Sequence, residues 1–342
     1  AGLCDGLLGL YSIGRDVADF ESAESACHRA LTLDRRAASV YIALGNLYRS
    51  SGQYDQAIGE FNTALSLNRT LPDAHLGLGD TYMEKSDLET AEQHYRTAIE
   101  LQPNYWQALM SMGNFLFQVG RVEEAIPYYR RISELMPESE TAFNNMGAAY
   151  FVTGDFERAS SAWQRSLDLA PSSTAYSNVA SSEFFLGHYD RAVSLYHKAV
   201  ELAPEDYELW GNLADAYRHS DYGLEMAEPM YRNAIRLAEN RLRINASDVG
   251  TLALAGHYCA SIGERKQAVK FITEAAALAP GNMYVDYNAA TAWAALGERE
   301  RALQAVERAV ASGYPRHIAA ADANLEALRG TDRFRALTEA KR

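Results

Sequence analysis

The residues of this 342-residue chain best placed to do chemistry are carboxamides and carboxylates repeated at one phase. Asn145, Asn178, Asn212 and Asn288 each stand two residues before a recurrent small residue, and Asn46, Asp80, Asn114 and Asp215 stand one residue after it. A primary amide carries both a donor and an acceptor, so it matches one peptide unit of an extended ligand. A ladder of such amides would hold a partner's backbone irrespective of its sequence. The alternative is a hydrogen bond between neighbouring helices, since a buried amide must be satisfied. Asn is a mediocre helix former, so either role gives it a reason to be there. Phe117, Phe151 and Phe184 lie one turn further along, as anchors for ligand side chains or as packing between repeats.

Catalytic chemistry has no comparable signal. The chain contains no GxxxxGK[ST], HExxH, GxSxG or CxxC segment, the patterns that phosphate cradles, zinc sites, acyl-transfer serines and redox pairs require. Gly77-Leu-Gly79 lacks the third glycine of a dinucleotide loop and falls within a helical pattern. The eight histidines show no metal-ligand spacing, and His28, His94 and His197 sit beside core positions, where a surface imidazole is expected. The sequons at Asn68 and Asn245 are short enough to arise by chance. The expectation is a non-enzyme with no cofactor and no metal.

Composition narrows the partners. A net charge of −13, from 32 basic and 45 acidic residues, argues against nucleic acid, whose binders carry a basic stripe. No apolar run approaches the roughly 18 residues of a membrane span, and mean hydropathy is −0.28. The chain opens Ala-Gly-Leu-Cys with no Met or basic leader, so it reads as a segment of a longer protein in which a catalytic domain in cis could be the partner.

The elements that must position these residues follow a period of 34. Gly45, Gly79, Gly113 and Gly147 form one column, continued as Ala180, Ala214, Gly256 and Ala290. A second column is Ala23, Ala57, Ala91, Ala125, Ala159, Ala192, Ala227, Ala268 and Ala302. Four residues after each comes a large apolar or aromatic residue: Cys27, Phe61, Tyr95, Tyr129, Trp163, Tyr196, Tyr231, Ile272 and Val306. The i, i+4 spacing puts each pair on one face of a helix. Gly52, Gly120, Gly154, Gly187, Gly263 and Gly297 suit left-handed ends of first helices, and Pro103, Pro137, Pro171, Pro204 and Pro280 stop the second ones.

This order of small residue, Gly turn, Ala, aromatic and Pro resembles the tetratricopeptide repeat (TPR) family over almost the whole chain. The resemblance implies an all-α, right-handed superhelical solenoid of paired helices, its first helices lining a concave groove. Nine repeats are expected, over 1–37, 38–71, 72–105, 106–139, 140–172, 173–206, 207–248, 249–282 and 283–316, with capping helices over 317–342. The Asn144-to-Gly147 and Gly211-to-Ala214 segments are similar to those lining the superhelix of O-GlcNAc transferases, which implies backbone binding by these amides. The TPR clamp for C-terminal carboxylates needs Lys and Arg where this chain has Ile42, Leu76, Met110 and Asn144, so that role is not expected. The GYP turn and LRGTDRF segment resemble the close of TPR modules in bacterial signalling proteins, which accompany Ser/Thr kinase or cyclase domains.

Departures from the period carry their own expectations. Three extra residues precede Ala23, and Leu8 fills the small slot of the first repeat. The stretch from Ala227 to Asn245 has no breaker, so that second helix should run about seven residues long, with Pro229 in its first turn, as a spacer or as a ridge for a partner. Leu325, Leu328, Phe334 and Leu337 should cover the last repeat. Cys4 and Cys27 occupy facing core columns, so they either bridge or remain buried thiols, while Cys259 stands alone. A bridge would favour the periplasm; the cytoplasm is otherwise expected. Two readings of function result: a scaffold binding an extended peptide or partner protein in its groove, or a regulatory module of a larger signalling enzyme.

Overall fold

The computed structural model describes residues 16–339 together with Gly6, Leu7, Gly9, Tyr11 and Gly14. Two compact units divide the chain, residues 1–137 and 138–342. The first holds α1 (Val17–Leu33), α2 (Ala38–Ser50), α3 (Tyr54–Leu67), α4 (Pro72–Glu84), α5 (Leu88–Leu101), α6 (Trp106–Gln118) and α7 (Val122–Leu135). The second holds α8 (Glu140–Val152), α9 (Phe156–Leu169), α10 (Ser173–Phe185), α11 (Tyr189–Leu202), α12 (Tyr207–His219), α13 (Gly223–Ile244), α14 (Val249–Ser261), α15 (Arg265–Leu278), α16 (Met283–Ala295) and α17 (Arg299–Ala311). It ends in α18 (Arg316–Ala321), a 3-10 turn (Ala323–Leu325), α19 (Glu326–Arg329) and α20 (Asp332–Thr338). The described residues form no strand. None of their helices is long and apolar enough to cross a membrane.

One contact sets each helix pair. The small residue of a first helix lies directly against the large column residue of the second, most often an aromatic ring. A Cβ built on Gly79 would sit 2.6 Å from Tyr95, on Gly113 2.7 Å from Tyr129, and on Gly147 2.5 Å from Trp163. The alanine column is wholly buried from Ala57 to Ala302, because a larger side chain there would hold the ring away from its slot. The Gly and aromatic columns of the sequence are thus two halves of one packing unit.

Connections between paired helices share one turn. Gly52 adopts φ 79, with the Gln53 N–H donating to Tyr48 C=O at 2.8 Å. Where the second repeat of that series lacks glycine, Ser86 takes φ 63, and the Asp87 N–H donates to Tyr82 C=O at 2.9 Å. The left-handed end is therefore required by the turn and not by residue type. Asp87, Ser139, Asp155, Ser172, Asp206, Asp248 and Asn282 cap the helices that follow them.

The long helix differs from expectation at one end only. α13 ends 17 residues after Ala227, whereas α3 ends ten after Ala57, so the extension is seven residues. It starts at Gly223, which puts Pro229 in the second turn and not the first. Pro127 stands at the same phase inside α7. Both prolines are exposed, so the missing N–H falls on the solvent side, where water can serve the freed carbonyl. Cys4 and Leu8 lie outside the described residues. Cys27 is buried against the first repeat's neighbours, including Val40 and Leu44.

The C-terminal segment does more than cap. Leu325, Leu328 and Phe334 are buried, and Leu337 partly so, as expected. But the segment also runs back across the first-helix face of its unit. The His317 ring bonds the Val152 carbonyl of α8, and Asn324 lies 3.0 Å from His219 of α12. The turn glycine Gly154 has its ring neighbour in His317.

Two glycines give a direct test of the packing unit. Gly113→Ala is expected to lose about 1–3 kcal/mol through the Tyr129 clash. Gly59→Ala, at an open helical site, is expected to gain about 0.5–1 kcal/mol. Chemical-denaturation midpoints measure both, and equal shifts would refute the slot.

Candidate functional site

The polar positions on first helices separate into two groups. In the first unit, the residue after the small slot is a hydrogen-bond partner of the column tyrosine. The Tyr95 hydroxyl donates to Asp80 at 2.9 Å, and the Tyr129 hydroxyl donates to Asn114 at 2.9 Å. The second unit repeats this with Tyr231 donating to Asp215, and with Ser181 2.9 Å from the Tyr196 hydroxyl. Asn46 faces Phe61, which has no hydroxyl, and is half-buried. The signal was legible: a polar residue occupies that position wherever the column residue is Tyr.

Among the amides two residues before the slot, Asn178 donates to the Asn144 carboxamide oxygen at 3.0 Å, linking α10 to α8. Asn145 is half-buried. Asn288 donates to the Tyr284 carbonyl at 2.9 Å within its own helix. Asn212 is half-buried and makes no side-chain hydrogen bond to a described residue. Phe117 is half-buried in the first unit. Phe151 and Phe184 pack in a ring cluster with Phe156, Phe185 and Tyr189.

In the second unit, Phe151, Phe184, Asn212, Asp215 and Asn288 come together on one cavity of about 510 Å³. Its walls are α8, α10, α12, α14 and α16, all first helices, with Tyr196 reaching in from α11. The returning C-terminal segment supplies Tyr314, Pro315, Ile318, Asp322 and Asn324. Tyr287 and Tyr314 stack with ring centres 4.0 Å apart. Asn145 and Asn178 do not line it.

Two carboxyl groups in this cavity behave oppositely. Burial opposes ionisation of Asp215, yet the His257 ring nitrogen Nε2, 3.0 and 3.2 Å from its two oxygens, and the Tyr231 hydroxyl hold it below the usual carboxylate range. Asp322 is raised above that range, first by burial and also by the charge of Asp215. The Tyr287 hydroxyl and the Asn324 N–H, at 2.9 Å, offset part of this. The sequence reading missed His257, Tyr258 and Asp322. Two lie in a repeat whose aromatic slot holds Ile272, and Asp322 lies past the last repeat, so periodicity gave them no weight.

Other histidines also depart from expectation. His94 is half-buried, its Nδ1 3.0 Å from Nδ1 of His75, with Tyr82 stacked on the ring. His197 lies 2.5 Å from the Tyr217 hydroxyl. Among the described residues no group of three or more His, Cys, Asp and Glu could hold a metal ion.

Paired antiparallel helices at a 34-residue period, closed by a small residue on a ring, define an all-α helical-repeat protein. The repeats are tetratricopeptide repeats: models described as TPR repeat or tetratricopeptide repeat match residues 45–86, 76–140, 174–216 and 283–308. Among solved structures, the chain is similar to pilF of Pseudomonas aeruginosa at 21% identity and TM-score 0.51, covering 61% of this chain and 92% of that one. A MamA protein matches at 21% identity and TM-score 0.48, covering 51% and 95%. YrrB, described as a TPR protein with an unusual peptide-binding site, matches at 22% identity and TM-score 0.47, covering 54% and 95%. These likenesses concern the fold. No curated protein sequence matches the chain.

The opposed carboxyls give opposite pH slopes. A depressed folded pKa stabilises above the unfolded value of about 3.9 and is lost as pH falls through the folded one. A raised folded pKa does the reverse: stability declines as pH rises from about 3.9 to the folded value. Asp215→Asn is therefore expected to flatten the loss of stability below pH ~4, and Asp322→Asn the loss above it. Melting temperatures across pH 3–8 on both variants test this, and parallel profiles would contradict it.

Proposed function

We propose that this chain is a non-catalytic scaffold that binds a peptide or a segment of a partner protein on the first-helix face of its repeats. Tetratricopeptide repeats commonly serve as interaction scaffolds. The observation that carries the reading is the convergence of Phe151, Phe184, Asn212, Asp215 and Asn288 on one cavity, from four first helices. Asn212 offers that cavity an amide with both donor and acceptor unused, and the phenylalanines offer apolar surface beside it. Asn178 serves packing, through its bond to Asn144.

The returning C-terminal segment shapes what can bind. It occupies part of the first-helix face between α8 and α16, so a ligand in the second unit is held over a short length, with a side chain directed into the cavity.

Asn212→Ala combined with Asn288→Ala tests the reading. Peptides selected from a random display library on the full chain are expected to bind the double variant at least tenfold more weakly. The denaturation midpoint should shift by less than about 1 kcal/mol, since neither amide bonds another helix. Failure to select any peptide, or unchanged affinity in the variant, would remove the first-helix face as the binding surface.

A further inference from the structure

The cavity of the second unit has one sign of charge. Three acidic side chains line it, Glu208, Asp215 and Asp322, and no Lys or Arg does; burial pushes Glu208 and Asp322 above the usual carboxylate range, and Asp215 is held below it. Much of the rest is aromatic: Tyr196, Tyr258, Tyr284, Tyr287 and Tyr314. Two of the lining residues also carry a buried polar atom without a partner. These atoms are Nδ1 of His257 and the hydroxyl of Tyr258, on side chains of residues only 4% and 1% exposed.

Their chemistry follows from their neighbours. The ionised Asp215 can only accept, so Nε2 of His257 keeps its hydrogen and donates to it. Asp322 accepts one hydroxyl and one backbone N–H, which leaves capacity among its roughly four lone-pair sites. The wall therefore holds three acidic side chains, no Lys or Arg, and unused acceptor capacity on Asp322.

We propose that this cavity receives an organic cation, a guanidinium or primary ammonium group. Its source is a partner's Arg or Lys side chain or a free small amine. This deepens the first-helix binding reading and rests on it. A cation's N–H groups would bond the free lone pairs of Asp322, with Glu208 and Asp215 on the same wall. The tyrosine faces would add cation–π attraction. An anion would meet three acidic side chains and no Lys or Arg. A neutral apolar ligand would leave the remaining acceptor sites of Asp322 unpaired. At about 510 Å³ the space lies in the range of organic ligand sites.

Calorimetric titration of the full chain tests the proposal with three probes: N-acetyl-arginine amide, agmatine, and N-acetyl-citrulline amide, the neutral isostere. One saturable site is expected for at least one of the two cations, with citrulline at least tenfold weaker. Preference for the capped arginine identifies a side chain as the source, and preference for agmatine a free amine. Asp322→Asn should weaken cation binding at least tenfold. Tyr284→Ala, on a residue 60% exposed, should weaken it about threefold, and it decides the matter alone if the Asp322 variant does not fold. Equal binding of citrulline, unchanged affinity in the folded variants, or no saturation by either cation would overturn the proposal. Display-selected peptides that bind at the first helices without competition from agmatine would overturn it too, while leaving the scaffold reading intact.

Discussion

The helix pairs of this chain depend on a large side chain, most often a ring, packed against a glycine or alanine. Gly45, Gly79, Gly113, Gly147 and Gly256 each leave room for one residue of the following helix. Gly in a helix costs about 1 kcal/mol relative to Ala, so the close approach must return more than that through burial of the ring. Tyr129 and Tyr231 are among the largest fully buried side chains. Because the ring fills the slot completely, its hydroxyl emerges on the first-helix face, and there it finds Asp80, Asn114, Ser181 or Asp215. The packing rule thus writes the polarity of the first-helix face.

That coupling explains what the sequence could and could not reveal. Columns of Gly, Ala and aromatics gave the helix pairs, because each column answers to a contact repeated in every pair. The seven-residue extension of α13 was legible, since no breaker follows Ala227 until Asn245. The place of Pro229 was not, because the start of that helix depends on the irregular Ser220–Tyr222 turn. The amide positions were found by phase, but phase alone does not separate Asn178, bonded to Asn144, from Asn212, which has no such bond. That distinction needs the neighbouring helix.

The cavity was illegible for a different reason. Its chemistry comes from residues that break the period: His257 and Tyr258 beside a slot filled by Ile272, and Asp322 in the segment after the last repeat. Regular columns stabilise the array, and their exceptions leave polar groups without assigned partners. In a repeat protein the exceptions are where specificity resides.

The bond between His317 and Val152 joins positions 165 residues apart. An array of stacked repeats is ordinarily assembled from neighbours alone, so it can grow from any point and fray from either end. The second unit has a far-sequence contact as well. Closing a loop of that length has an entropic cost that rises only slowly with chain length. One wall of the cavity, with Tyr314, Ile318 and Asp322, thus comes from a segment tied to α8 by a contact that stacked neighbours alone do not make.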